Sequence, residues 1–177
     1  GAPLPIWRNE KTNTYKVIGS RAELEALTPK SGNSYFMMRH GESESNLAGI
    51  ISAHKNNQDS LTERGRAQVA EALAKTPTHI DLIIHSGFMR AKETALAVGG
   101  VHPEATVIED ERIGELGLAA DFEGKSWNEY NAAFSSFEDR YERVLPGSEN
   151  RRDAQIRMGQ VLYELEAKYA GKTILMV

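Results

Sequence analysis

Cysteine is absent from the sequence. Its absence excludes disulfides, thiol nucleophiles and a cysteine-based zinc site, and it fits a reducing compartment. Long apolar runs are missing too: no stretch approaches the ~20 residues that span a bilayer, and the start lacks the charged-then-apolar order of a secretion signal. Excess charge is also lacking. A formal net charge of −4 argues against bulk nucleic-acid binding by phosphate neutralisation, so any affinity for phosphate must be local. These absences lead to the expectation of a cytoplasmic protein with neither membrane nor nucleic-acid partners. What remains is an ordinary composition, 40% hydrophobic and 26% charged over 177 residues, enough for one domain with a sizeable core.

The stretch around which the chain is organised is Ser34-Tyr35-Phe36-Met37-Met38-Arg39-His40-Gly41-Glu42-Ser43. Its consecutive apolar residues, bounded by turn signals, predict a buried strand. Arg39 and His40 then project from the carboxyl end, where open α/β sheets bind ligands. A guanidinium grips phosphate through paired hydrogen bonds, and a neutral imidazole is a nucleophile. The pair points to phosphoryl chemistry, with a strand that simply ends in solvated polar residues as the alternative.

Downstream, Asn46 to Gln58 is rich in Asn, Ser and Gly and predicts a loop at the rim. Thr62 caps a helix running to about Lys75, whose Ala67, Ala70, Leu73 and Ala74 form a small-residue face. Thr78 to Ser86 is a second apolar strand ending in polar residues, with His85 read as a core histidine. Arg90 opens the next helix, whose amino terminus attracts anions, and would close a phosphate pocket opposite Arg39. Ala105 to Ile108 is a third strand, and the acidic run Glu109 to Glu111 is read as solvated. Trp127, Tyr130, Phe134, Phe137 and Tyr141, at steps of three and four, predict one amphipathic helix. Met158, Val161, Leu162, Leu165 and Tyr169 mark a longer one, with Gly171 as its C-cap and Lys172 to Val177 as a strand.

Arg39-His40-Gly41-Glu42-Ser43 with Asn46 resembles the signature of the histidine phosphatase superfamily, which includes the cofactor-dependent phosphoglycerate mutases. Asp59-Ser60-Leu61-Thr62-Glu63-Arg64-Gly65 and Ser86-Gly87-Phe88-Met89-Arg90-Ala91-Lys92-Glu93-Thr94-Ala95 resemble further segments of that family, in the expected order. Ile113-Gly114-Glu115-Leu116, followed by Phe122-Glu123-Gly124, is similar to its acid-bearing loop, although Glu123-Gly124 falls slightly late. Pro146-Gly147-Ser148-Glu149-Asn150 resembles a loop that is otherwise P-G-G-E-S.

The resemblance implies an α/β fold, a three-layer α/β/α sandwich around a mostly parallel sheet. It implies His40 as nucleophile and Glu115 as general acid, with Arg39, Asn46 and Arg90 binding a small phosphorylated substrate. No metal or other cofactor is implied. A carboxyl shielded from water beside a bound phosphate keeps its proton near neutrality, as an acid must, so Glu115 is expected to be sheltered. The expected activity is phosphomonoester hydrolysis through a phosphohistidine. Mutase-type transfer and a non-catalytic module are the alternatives.

Residues 1–32 form an extension and linker ahead of a domain at 33–177. Gly1-Ala2-Pro3-Leu4-Pro5-Ile6-Trp7 leads into a small hairpin ending near Ile18, and Ser20 with Glu23 forms a capping box opening a helix from Arg21 to Leu27. This opening, with Ile18-Gly19-Ser20-Arg21-Ala22-Glu23-Leu24, resembles a segment of isoleucyl-tRNA synthetases. That likeness implies a domain belonging to a larger synthetase-like polypeptide, although neither nucleotide-binding signature of such enzymes occurs in the chain. In the phosphatase family a second histidine follows the last strand, and no residue up to Val177 can be assigned to it. The expectation is a sheet lacking its C-terminal strand or strands, and weak or no activity from the isolated chain.

Overall fold

The structure is a computed structural model that describes residues 6–9, 14–17, 31–54 and 58–177, the first two spans through their backbone. It divides after Ser31 into two units. In the first, β1 (Ile6–Asn9) pairs antiparallel with β2 (Thr14–Val17), Ile6 opposite Val17 and Asn9 opposite Thr14. The predicted hairpin pairing is therefore present. The helix expected from Arg21 to Leu27 lies outside the described residues.

The second unit is built on β3 (Ser34–Met37), β4 (Leu82–His85), β5 (Thr106–Glu109) and β6 (Thr173–Met176). All pairings are parallel and the order is β3-β6-β4-β5. Side chains alternate between the two faces of a strand, and the buried ones divide accordingly. Leu82, Ile84, Ile174 and Met176 pack with Val161 and Leu165 of α6 (Arg151–Lys168), whereas Ile83 and Leu175 pack with Ala95 and Val98 of α3 (Met89–Val101). Helices thus cover both faces, giving the three-layer α/β sandwich.

Parallel strands send their carboxyl ends to one edge. The segments after β3, β4 and β5 therefore emerge together: Arg39 and His40, then Ser86 to Arg90, then Asp110 to Glu115. Backbone bonds tie that edge, Met38 N–H to the Met176 carbonyl at 2.9 Å and Val177 N–H to that of Ile84 at 2.8 Å.

Several local expectations are corrected. β3 is an edge strand, with Phe36 41% and Met37 76% exposed, where a buried strand was expected. Its apolar run reports strand propensity and not the number of covered faces. The rim segment begins with a short helix, α1 (Glu44–Ala48), where a loop was predicted; Ser43 and Asn46 form its capping box. In α2 (Glu63–Leu73), capped by Thr62, the buried positions are Gly65 and Val69, while Ala67, Ala70 and Ala74 are exposed. The close approach is made by backbone: a Cβ on Gly65 would lie 2.0 Å from the Glu42 carbonyl oxygen, and one on Gly41 2.3 Å from that of Gly65.

The aromatic stripe also differs from its prediction. It spans two helices, α4 (Trp127–Ala132) and α5 (Phe137–Glu142), with Ser136 capping the second. Tyr130 is buried and meets Phe122, Trp127 and Phe134 edge to face, with ring centroids 5.2, 5.8 and 5.1 Å away. Phe137 is 62% exposed. Helix α6 ends at Lys168 with Tyr169 in extended conformation, so Gly171, at φ 65°, turns the chain into β6 and does not cap the helix.

Candidate active site

His40 leaves the end of β3 with both ring nitrogens engaged. Nδ1 lies 2.7 Å from the Gly41 carbonyl oxygen, and Nε2 lies 3.2 Å from Nε of Arg90. A carbonyl only accepts and a guanidinium only donates. The two contacts therefore select one tautomer, with the proton on Nδ1 and the lone pair on Nε2. Burial holds the imidazole below its ordinary 6.5; the Gly41 carbonyl and Glu115 oppose this, and the charges of Arg90 and Arg39 reinforce it. The ring is thus neutral at pH 7, with Nε2 directed at the cationic side of the site.

Arg90 sits in the first turn of α3 and is 3% exposed. Its guanidinium carries three contacts at once. Nε donates to His40, Nη1 donates to Asp59 Oδ2 at 2.8 Å, and Nη2 donates to Glu115 Oε2 at 3.1 Å. The Phe88 ring lies against it, 4.5 Å from centroid to the guanidinium carbon. A buried cation needs a buried partner, and that partner is Asp59.

Asp59, which the sequence motifs do not single out for a role, is the carboxylate that orients Arg90. Its Oδ1 accepts the Ser45 backbone N–H and its Oδ2 the Ser45 hydroxyl, both at 2.8 Å. Burial pushes its carboxyl up, but the Ser45 N–H and hydroxyl, Arg90 and Ser43 outweigh burial and hold it below its ordinary 3.8. The available signal was indirect: an arginine assigned to a sheet edge requires a carboxylate, and Asp59 is the acid of the Leu61-Thr62 motif.

Arg39, His40, Asn46, Arg90 and Glu115 all line one cavity of about 330 Å³. Arg39 and Asn46 are exposed at its mouth. Asn46 has a structural duty besides, since its Oδ1 accepts the Ser43 N–H at 3.3 Å. Trp127 of α4 forms one wall. The Glu115 side chain is 49% exposed, so the sheltered position expected for it is not what the structure has. His85 is 5% exposed and accepts the Gly87 N–H at 3.1 Å, as a core histidine does. Among the described residues no three His, Asp or Glu side chains cluster as metal ligands, and no helix is long and apolar enough to cross a membrane.

With this geometry in view, the relatives are informative. Residues 35–177 match the family model of the histidine phosphatase superfamily (branch 1). Among solved structures, mycobacterial glucosyl-3-phosphoglycerate phosphatase Rv2419c, in complex with VO3, is 26% identical over 80% of this chain and 72% of its own, with a TM-score of 0.64. Bacillus stearothermophilus YhfR is 27% identical over 82% of this chain and 73% of its own, at 0.66. A putative alpha-ribazole-5'-P phosphatase from Escherichia coli is 23% identical over 81% and 72%, at 0.64, and shares the fold. Among curated protein sequences none matches the chain. Because the family's pattern runs from the strand that delivers His40 to the last strand beside it, this chain belongs to the histidine phosphatase superfamily.

Proposed function

We propose that the protein hydrolyses a small phosphomonoester through a phosphohistidine on His40. The observation that carries this reading is the Arg90 fork, which brings the nucleophile nitrogen and the Glu115 carboxyl onto one guanidinium. Phosphoryl transfer asks the protein chiefly for positioning and charge neutralisation, and this group supplies both.

In the first step, the phosphate enters beside Arg39 and Arg90. A phosphate oxygen carries the charge that the ring nitrogen lacks and pairs with a guanidinium as well as accepting its bond, so Nε of Arg90 turns to the substrate and frees the lone pair on Nε2. The Nε2–P bond forms as the P–O ester bond breaks, and Glu115, protonated beside the bound phosphate dianion, gives its proton to the departing alcohol. The two guanidiniums neutralise the equatorial oxygens. In the second step water attacks phosphorus, the Nε2–P bond breaks, and Glu115 recovers a proton from the water. Asn46 contacts the phosphate from the mouth of the cavity.

Two relatives support the reading through their names, one a glucosyl-3-phosphoglycerate phosphatase and the other a putative alpha-ribazole-5'-P phosphatase. The substrate class is a phosphorylated small molecule. The test is acid-quench trapping with a labelled phosphomonoester. Label held on the wild-type chain and lost in His40→Ala is the expected result. Release of the label to water supports a phosphatase, and transfer to an added alcohol acceptor would make it a mutase. No trapped label would leave a non-catalytic module.

A further inference from the structure

The loop Pro146 to Asn150 takes no part in the chemistry above, yet it is tied to the segment that bears the acid. The Glu149 N–H donates to the Gly117 carbonyl at 2.8 Å, and the Gly117 N–H returns a bond to Glu149 Oε1 at 2.7 Å. The Ala119 N–H donates to the Ser148 hydroxyl at 2.8 Å. Gly147 has φ 72°, and a Cβ there would approach Ala119 Cβ to 3.2 Å. The loop is therefore shaped to lie along 117–119.

Arg157 of α6 reaches the same segment. Its Nη1 donates to the carbonyls of Arg112 and Gly114, the latter at 3.1 Å, and its Nη2 donates to the carbonyl of Glu115 at 3.3 Å. The guanidinium is paired with the Glu149 carboxylate through Nε, at 3.2 Å, and through Nη2. Both side chains are about four-fifths covered, at 22% and 20% exposed. One ion pair thus holds backbone on both sides of Glu115, while the Glu115 side chain itself is half exposed and touched by Arg90.

We propose that Glu149 and Arg157 are positioning residues for Glu115: together they fix the height and direction of the acid over the leaving-group side of the cavity. This inference rests on the reading of Glu115 as the acid. A half-exposed carboxylate on an irregular segment, met by Arg90 at one oxygen, still depends on its backbone for position, and misplacement by an ångström is costly in transition-state geometry. The clamp supplies the missing rigidity through backbone, leaving the carboxyl free to meet the substrate.

General acid assistance matters for a poor leaving group and little for a good one. The test compares an alkyl phosphate with 2,4-dinitrophenyl phosphate in wild type, Arg157→Met, Arg157→Lys, Glu149→Gln and Glu115→Gln. Acid catalysis contributes at least about 100-fold, so Arg157→Met is expected to lower turnover of the alkyl phosphate by about that factor. Its rate with the activated aryl phosphate changes little, and Glu115→Gln shows the same contrast. Arg157→Lys and Glu149→Gln, which keep a charge or an acceptor in place, fall between. An equal loss on both substrates, or no loss on the alkyl one, in folded Arg157 and Glu149 variants overturns the proposal. If Glu115→Gln itself shows no contrast while the phosphoenzyme still forms, the assignment of the acid fails first, and the clamp with it.

Discussion

Arg90 and Asp59 form a buried ion pair at 2.8 Å, with side chains 4% and 6% exposed, across 31 residues of sequence. The pair does more than neutralise a charge. Asp59 takes one nitrogen of the guanidinium and Ser45 anchors Asp59, so the remaining two nitrogens are aimed at His40 and Glu115. The direction of the cation is set from below the cavity, before any substrate enters.

Removing one partner of a buried pair strands the other. Asp59→Ala is expected to destabilise the protein by roughly 3–5 kcal/mol and to weaken phosphate binding, because Arg90 loses the contact that orients it. Urea unfolding of the variant measures the first effect, and a change below about 1 kcal/mol, the range of an exposed pair, would contradict it.

His40 is held below its ordinary 6.5, first by burial and then by Arg90 and Arg39. Between the native value and 6.5 the unfolded chain binds more protons than the native one, so stability rises with pH through that window and falls on acidification below 6.5. The ring protons of His40, followed by NMR against pH, are expected to titrate below 6.5, and to move upward in Arg90→Gln. A midpoint at or above 6.5 in the wild-type protein contradicts the lowering by burial and the two guanidiniums.

Gly65 lies against the backbone that carries the signature motif, 2.0 Å from a Cβ position to the Glu42 carbonyl oxygen. Because neighbouring backbone cannot rotate away, Gly65→Ala forces the helix from the loop. Overpacking costs about 1–3 kcal/mol, occasionally more, and the upper end is expected here. Thermal unfolding of this variant beside Ala67→Gly, at an exposed position of the same helix, separates the clash from helix propensity; equal losses would contradict the close contact.

Tyr130 is the buried centre of an aromatic cluster and packs with Ile51 and Leu118. Tyr130→Ala is expected to cost about 3–5 kcal/mol and to loosen the wall that Trp127 and Ile51 present to the cavity. A denaturant midpoint close to that of wild type would show that the cluster is not a core.

Motif order and apolar patterning carry different information. Motif order marks His40, Arg90 and Glu115, and the structure places them on one guanidinium. Strands β4 and β6 were legible because Leu82 to Ile84 and Ile174 to Met176 are apolar on both faces, and both are central in the sheet. Tyr35 to Met38 carries an equally apolar run at an edge. Composition reports propensity; it does not count neighbours. The spacing from Trp127 to Tyr141 is periodic on paper, yet the Ser136 cap divides it, and a capping serine within a periodic run is a stronger signal than the period. Asp59 was missed because its importance is a distance in space to Arg90, which no local pattern records. The five residues of α1 are too few to show a period.

The central claim is that Arg39, Arg90 and Nε2 of His40 converge on one tetrahedral phosphate. The most direct test is a crystal structure of the protein soaked with vanadate. The account predicts vanadium bonded to His40 Nε2, oxygens in contact with Arg39 and Arg90, and Nε of Arg90 withdrawn from the ring. Vanadate bound elsewhere, or bound at His40 while Arg90 keeps its bond to Nε2 and touches no oxygen, would contradict it.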